Sequence, residues 1–222
     1  MIIGIAGKAQ SGKDTACKII QAISVYEKNE NIEQPLVEFI KDVLNNPNRL
    51  GVCKPIWRKH SFAETLKECA ALILDCDIED FESINYKNSP TNLCLLNKEG
   101  NSMTNREFLQ LLGTEVGRAI DKDLWVKVLL HKYLCALDNS SYEETVQWII
   151  PDVRFPNEEV AIHLENGIVW KIIRNINEGG THESEQHFDE INADLTIENN
   201  GTIDEFINKV IEAYNKTKLY NI

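Results

Sequence analysis

The residues most able to do chemistry open the chain. Gly7-Lys8-Ala9-Gln10-Ser11-Gly12-Lys13-Asp14-Thr15 fits the spacing GxxxxGK. Gly7 and Gly12 let the backbone turn and come close to an anion with no side chain in the way. The successive N–H groups of such a loop, those of Gln10 and Ser11 among them, face inward and form an anion nest. A helix starting at Gly12 adds the positive end of its dipole. Lys13 extends to the β- and γ-phosphates as a point charge. Together these groups suit a nucleoside triphosphate. The alternative is a glycine-rich turn with no ligand, but an apolar run before the loop and a helical pattern after it are the context this motif requires. One position departs from the usual form. Asp14 stands where Ser or Thr normally holds Mg²⁺, and Thr15 follows it. Thr15 then serves the phosphates, and Asp14 reaches the metal directly or through water.

Such a site needs a second carboxylate at the end of a neighbouring strand to hold hydrated magnesium. Asp152 follows the apolar run Trp148-Ile149-Ile150-Pro151 and is the best candidate. Pro151 is awkward there, because it cannot donate to a ladder; the competing reading makes Asp152 a turn or cap residue. Arg154 lies two residues further on. If the strand continues, both side chains project from one side at its C-terminal end, where ligands bind in parallel sheets. Glu158 either orients Arg154, touches the substrate, or simply helps the dipole of a helix it opens.

These groups need a frame. Ile2 to Ala6 reads as a buried strand, and Gly12 to Ser24 as a helix with Ala16, Ile19, Ile20 and Ile23 on one side. Residues 36–44 suit a short helix, and Ile56 to His60 a weak strand. Ser61 to Glu64 is a capping-box pattern opening a helix with Phe62, Leu66, Cys69, Ala70 and Ile73 on one face. Residues 77–103 read as irregular. Thr104 to Glu107 caps a helix through about 119, and another spans about 123–136. Val146 to Pro151 and Ile168 to Ile173 are strands, with a helix from Pro156 to about Gly167 between them. Leu195 to Ile197 is a short strand, and Thr202 to Glu205 caps a last helix. Strands alternating with helices predict a three-layer α/β fold with a mostly parallel sheet.

The bulk properties narrow the class. The 222 residues carry a formal net charge of -12 and show no basic patch, which argues against a nucleic-acid partner. No apolar run reaches membrane length, and the one at the N-terminus is too short for a signal peptide. Six cysteines show no CxxC spacing, so free thiols in a reducing cytoplasm are expected.

In order along the chain stand GKAQSGKDT, SFAETLKE, LQLLGTEVGR followed by DLWV, DVRFPNE, HESE and NNGT. This ordered set resembles the deoxynucleoside monophosphate kinase family known from bacteriophages, over Gly7 to Thr202; the stretches 25–55 and 77–103 carry none of it. Asp after the loop lysine is usual in that family. The resemblance implies a single P-loop kinase domain over 1–222, with a helical substrate-binding insertion at about 60–140 and a lid at about 175–190. It implies transfer of a phosphoryl group from ATP, with Mg²⁺, to a deoxynucleoside monophosphate, in the cytoplasm (the host's, if the source is viral). A homodimer is suggested by related enzymes.

The resemblance also assigns residues. Gly113, Thr114 and Arg118 would line the monophosphate site, Thr114 and Arg118 sharing a helix face; an exposed arginine paired with Glu115 is the alternative. Trp125 stacks on the base or fills the core. Lys67 would lie near the acceptor, against the alternative of a plain helix lysine. Arg154 and Arg174 are the arginines available to the transferring phosphate, since no Lys or Arg follows Arg174 before Lys209. His182, Ser184 and Glu185 match the lid pattern with no assigned role. Asn200 falls where related kinases hold adenine, while Thr202 is equally a helix cap. Two other readings stand beside this one. The acceptor could be another phosphorylated small molecule, of the phosphomevalonate or dephospho-coenzyme A kind, or the protein could be a nucleotide-dependent switch or ATPase.

Overall fold

The computed structural model describes residues 1–51, 55–140, 146–175 and 187–219. In chain order the elements are β1 (Ile2–Gly7), α1 (Lys13–Lys28), α2 (Leu36–Asn45), β2 (Trp57–Lys59), α3 (Phe62–Leu74), α4 (Ile84–Asn88), α5 (Asn105–Gln110), α6 (Gly117–Ile120), α7 (Leu124–Asp138), β3 (Gln147–Val153), α8 (Pro156–Leu164), β4 (Ile168–Ile173), β5 (Leu195–Glu198) and α9 (Ile203–Leu219). They separate into two compact units. One comprises Met1–Ser61 with Cys135–Ile222, the other Phe62–Leu134.

The first unit is built on a five-stranded sheet of order β2-β3-β1-β4-β5, parallel at every pairing. Its central strand reads Ile-Ile-Gly-Ile-Ala, and Ile2, Ile3, Ile5 and Ala6 are wholly buried. A strand covered on both faces needs such an unbroken apolar run. On one face Ile3, Ile5, Ile149 and Ile172 pack against Ile19, Ile20 and Ile23 of α1 and against Phe206, Ile207 and Val210 of α9. On the other, α8 lies directly on β1: a Cβ at Gly4 would come within 2.6 Å of the Ile162 side chain. This is the three-layer α/β arrangement of P-loop kinases. Buried indoles keep their N–H groups satisfied, Trp57 donating to the Tyr214 hydroxyl and Trp170 to that of Thr217.

Pro151 fits through an irregularity. The β1–β3 register runs Gly4 to Ile150 and then Ala6 to Val153, so one extra residue of β3 is accommodated opposite Ile5. A bulge is where a strand tolerates a residue with no N–H to give.

The second unit is helical and has its own small core of Ala70, Ala71, Leu74 and Phe81, with Tyr86, Leu95 and Phe108 against it. Here the sequence reading needs three corrections. First, residues 77–103 are not simply irregular. They form a 3₁₀ turn at Ile78–Glu82, the short helix α4, and bridges pairing Pro90 with Thr104 and Leu96 with Ser102. Second, Phe81, wholly buried, turns the packed face of α3 round to Ala71 and Leu74 and leaves Ile73 exposed. Third, the helix capped by Thr104 does not run uniformly to 119. The capping box forms, the Thr104 Oγ1 accepting from the Glu107 amide and the Glu107 carboxylate accepting from the Thr104 amide. Beyond α5, however, Leu111–Val116 is a π-helix. Among the described residues no helix is long and apolar enough to cross a membrane.

Candidate active site

The loop between β1 and α1 has the conformation its glycines predict. Gln10 and Gly12 both adopt positive φ, 59° and 107°. At Gly12 this is the left-handed region that glycine enters without strain. A Cβ at Gly7 would sit 2.4 Å from the Ser11 Oγ, and one at Gly12 2.6 Å from the Asn199 Nδ2. A side chain at Gly7 would displace the Ser11 hydroxyl and press on the Ile172 carbonyl, and at Gly12 the positive φ itself disfavours one. Ser11 is buried, and its Oγ has no hydrogen-bond partner among the described residues. An orphan hydroxyl inside an anion nest is the polar group a bound phosphate would satisfy. Lys13 folds over the loop, its Nζ donating to the carbonyls of Gly7 at 2.6 Å and Lys8 at 2.7 Å.

Two other strand ends grip this loop. The Asn199 Nδ2 donates to the Ser11 carbonyl at 2.8 Å from the turn between β5 and α9. Arg174, just past β4, donates from Nη1 to the Gln10 carbonyl at 3.3 Å. Asn200, picked out from the sequence, has its Oδ1 on the Asn175 amide at 2.7 Å and so ties the ends of β4 and β5 together. Its neighbour Asn199, which the sequence reading passed over, is the residue that holds the loop.

Asp14 lies in the first turn of α1. Its Oδ1 accepts from the Lys59 Nζ at 2.7 Å, across from the end of β2. Partial burial pushes the carboxyl up, but the Lys59 hydrogen bond and the charges of Lys59, Lys13 and Lys18 outweigh it, holding the group below the usual carboxylate range. Asp152 is the penultimate residue of β3, beside the bulge. Cys17, three residues further along α1, is buried. Burial pushes its thiol up to about 12; the Lys59 charge lowers it, and the charges of Asp14 and Asp152 add to the rise. Lys59 ends β2, Asp152 lies near the end of β3 and Asp14 opens the helix that follows β1, so parallel pairing puts all three at the same end of the sheet. Among the described residues no three His, Cys, Asp or Glu side chains converge as a metal cage. A pair of carboxylates with Thr15 is the sparse donor set that suits a hydrated Mg²⁺ shared with phosphates.

Arg154 is exposed and follows the end of β3, which stops at Val153. The register argument that aligned it with Asp152 therefore does not apply: Pro156 and Glu158 start α8 before the strand can continue. Glu158 is buried, and its Oε2 accepts from the backbone amides of Arg154 at 2.7 Å and Phe155 at 3.1 Å. Its carboxylate thereby shapes the turn that presents Arg154.

The other candidates sit in the helical unit. Lys67 pairs with Glu82 at 2.5 Å. Glu115, considered as a partner for Arg118, pairs with Lys98 at 2.8 Å. Gly113 is buried under Leu66, and its carbonyl accepts from the Trp125 Nε1 at 2.8 Å. A Cβ at Gly117 would lie 2.6 Å from the Trp125 ring. The indole thus rests on the π-helical turn carrying Thr114 and leading into Arg118. His182, Ser184 and Glu185 lie outside the described residues, as does most of the span assigned to a lid. In the described end of that span, Phe188 lies beneath the Lys171 Nζ at 4.4 Å and the loop's Lys8 at 5.8 Å.

Set against known proteins, residues 48–210 match the family described as deoxynucleotide monophosphate kinase, well over half of the chain. The matched span begins after the phosphate loop, so the loop stands on its own geometry. No curated protein matches the chain.

Proposed function

The chain belongs to the deoxynucleotide monophosphate kinase family, and on that premise we propose that it moves the γ-phosphoryl of ATP onto the 5′-phosphate of a deoxynucleoside monophosphate, giving the diphosphate and ADP. The observation that carries the donor half is the loop: tight glycine positions, one of them at positive φ, a buried Ser11 hydroxyl without a partner, and Lys13 over the cradle. The acceptor is a phosphate oxygen already ionised at neutral pH, so no strong general base is needed. Catalysis is then alignment and charge neutralisation.

In this reading Gly7, Gln10, Ser11, Gly12, Lys13 and Thr15 hold the triphosphate, with Asn200 at the adenine end. Asp14, Thr15 and Asp152 would hold Mg²⁺, which would supply positive charge against the phosphate oxygens. Lys13, Arg154 and Arg174 neutralise charge on the moving phosphoryl group. Gly113, Thr114, Arg118, Trp125 and Lys67, and from the sheet unit Asp152, Arg154 and Glu158, are assigned to the monophosphate. A coupled assay of ADP release over a panel of deoxynucleoside and ribonucleoside monophosphates tests it. Turnover with one or more deoxynucleotides is expected; an enzyme that binds ATP yet turns over none of them would overturn the reading.

A further inference from the structure

Lys59 lies in no recognised motif, yet it makes the contact that most constrains Asp14. It ends β2, paired in register with Ile149, three residues before Asp152. Its ammonium stands 2.7 Å from the Asp14 Oδ1, with the two side chains 48% and 75% exposed at the solvent-facing mouth of the site. An ion pair that open is held weakly and can exchange partners at small cost. Among the charges that act on Asp14, that of Lys59 comes first, ahead of Lys13 and Lys18, and it comes with a direct hydrogen bond. A divalent ion arriving at Asp14 meets an ammonium already on that carboxylate.

We infer that Lys59 is the resident counter-ion of Asp14: it occupies the metal carboxylate while the site holds no nucleotide, disfavours capture of a free divalent cation, and gives way when a metal–nucleotide complex supplies the remaining oxygen ligands. The inference rests on reading the loop as a nucleotide site. It assigns Lys59 a positioning role, setting the order and strength of metal binding, and places no reacting atom on it. The site stays near charge balance in both states, first with the ammonium and then with the metal.

The test is direct binding of Mn²⁺ to the full chain, followed by electron paramagnetic resonance without nucleotide, with ADP affinity measured by calorimetry in a metal chelator. K59M removes the ammonium and keeps the stem, so its Mn²⁺ affinity should be roughly two- to fivefold tighter than wild type, the range an exposed ion pair spans. K59R should restore the wild-type value. In a D14N background K59M should have no effect, and chelated ADP affinity should stay within about twofold throughout. Unchanged or weaker Mn²⁺ binding in K59M, or the same gain in the D14N background, overturns the role of Lys59. A wild-type chain that binds no ADP overturns instead the nucleotide reading beneath it.

Discussion

Lys13 donates to the loop it belongs to, with the Gly7 and Lys8 carbonyls each within 2.7 Å. Those carbonyls hold the ammonium where phosphate oxygens would meet it, so the charge needs little reorganisation on binding. Lys13→Ala should lower kcat/KM by roughly 10²- to 10³-fold, the scale of losing one preorganised charge contact, while circular dichroism and melting temperature stay near wild type. Near-normal turnover would refute the role. Cys17 makes a different kind of case. It is buried, and its thiol is pushed up to about 12, so at pH 8.5 almost none of it is thiolate. Cys94 and Cys135 are exposed. Iodoacetamide on the native protein at that pH should label Cys94 and Cys135 and spare Cys17, and unfolding should expose it; peptide mass spectrometry reads the result. Native labelling of Cys17 would mean that the first turn of α1 opens far more readily than its packing implies.

Elements were legible where their apolar pattern was strong and local. β1, α2, β4 and α7 lie within a residue or two of their expected bounds, because each is specified by periodicity and by its own end signals. The capping boxes at Thr104 and Thr202 form as their spacing predicts. The π-helix at Leu111–Val116 was not legible, since one widened turn leaves the hydrophobic pattern nearly unchanged. Nor was the Lys59–Asp14 pair, which joins residues 45 apart in sequence through a three-residue strand. Phe81 was hidden among polar neighbours whose turns only tertiary contact defines. The π-helical turn also fixes a prediction. Gly117 lies so close under Trp125 that a Cβ would be 2.6 Å from the ring, and the indole is pinned at its other edge by the Gly113 carbonyl. Gly117→Ala should therefore shift the indole and cost about 1–3 kcal/mol by overpacking. The acceptor's KM should rise severalfold while that of ATP barely moves, with a change in tryptophan fluorescence. If both Michaelis constants and the emission stayed at wild-type values, the turn would not be what presents Thr114 and Arg118.

At the scale of the whole molecule the chain divides into two compact units, and the proposed function draws residues from each. The phosphate loop, Asp14, Asp152, Arg154 and Arg174 belong to the sheet unit, whereas Lys67, Thr114, Arg118 and Trp125 belong to the helical one. The cores differ in size accordingly. The sheet unit packs a continuous layer of isoleucines from β1, α1 and α9. In the helical unit a separate cluster closes on Ala70, Ala71, Leu74 and Phe81, of which Phe81 is the largest. Truncating a wholly buried phenylalanine costs about 3–5 kcal/mol through lost burial and the cavity left behind. That is comparable with the whole margin a small unit of this kind is expected to have. Phe81→Ala should therefore loosen the helical unit selectively. Hydrogen exchange in Phe62–Leu134 should accelerate, while the β1, β3 and β4 amides stay protected. Binding of ADP, which the proposed function assigns to the sheet unit, should remain within about threefold of wild type, and phosphoryl transfer to any monophosphate should fall by at least tenfold. The contrast between the two measurements is the prediction. Loss of ADP binding together with transfer would show that the two units fold and bind as one, and full transfer with a loosened helical unit would remove the acceptor from it.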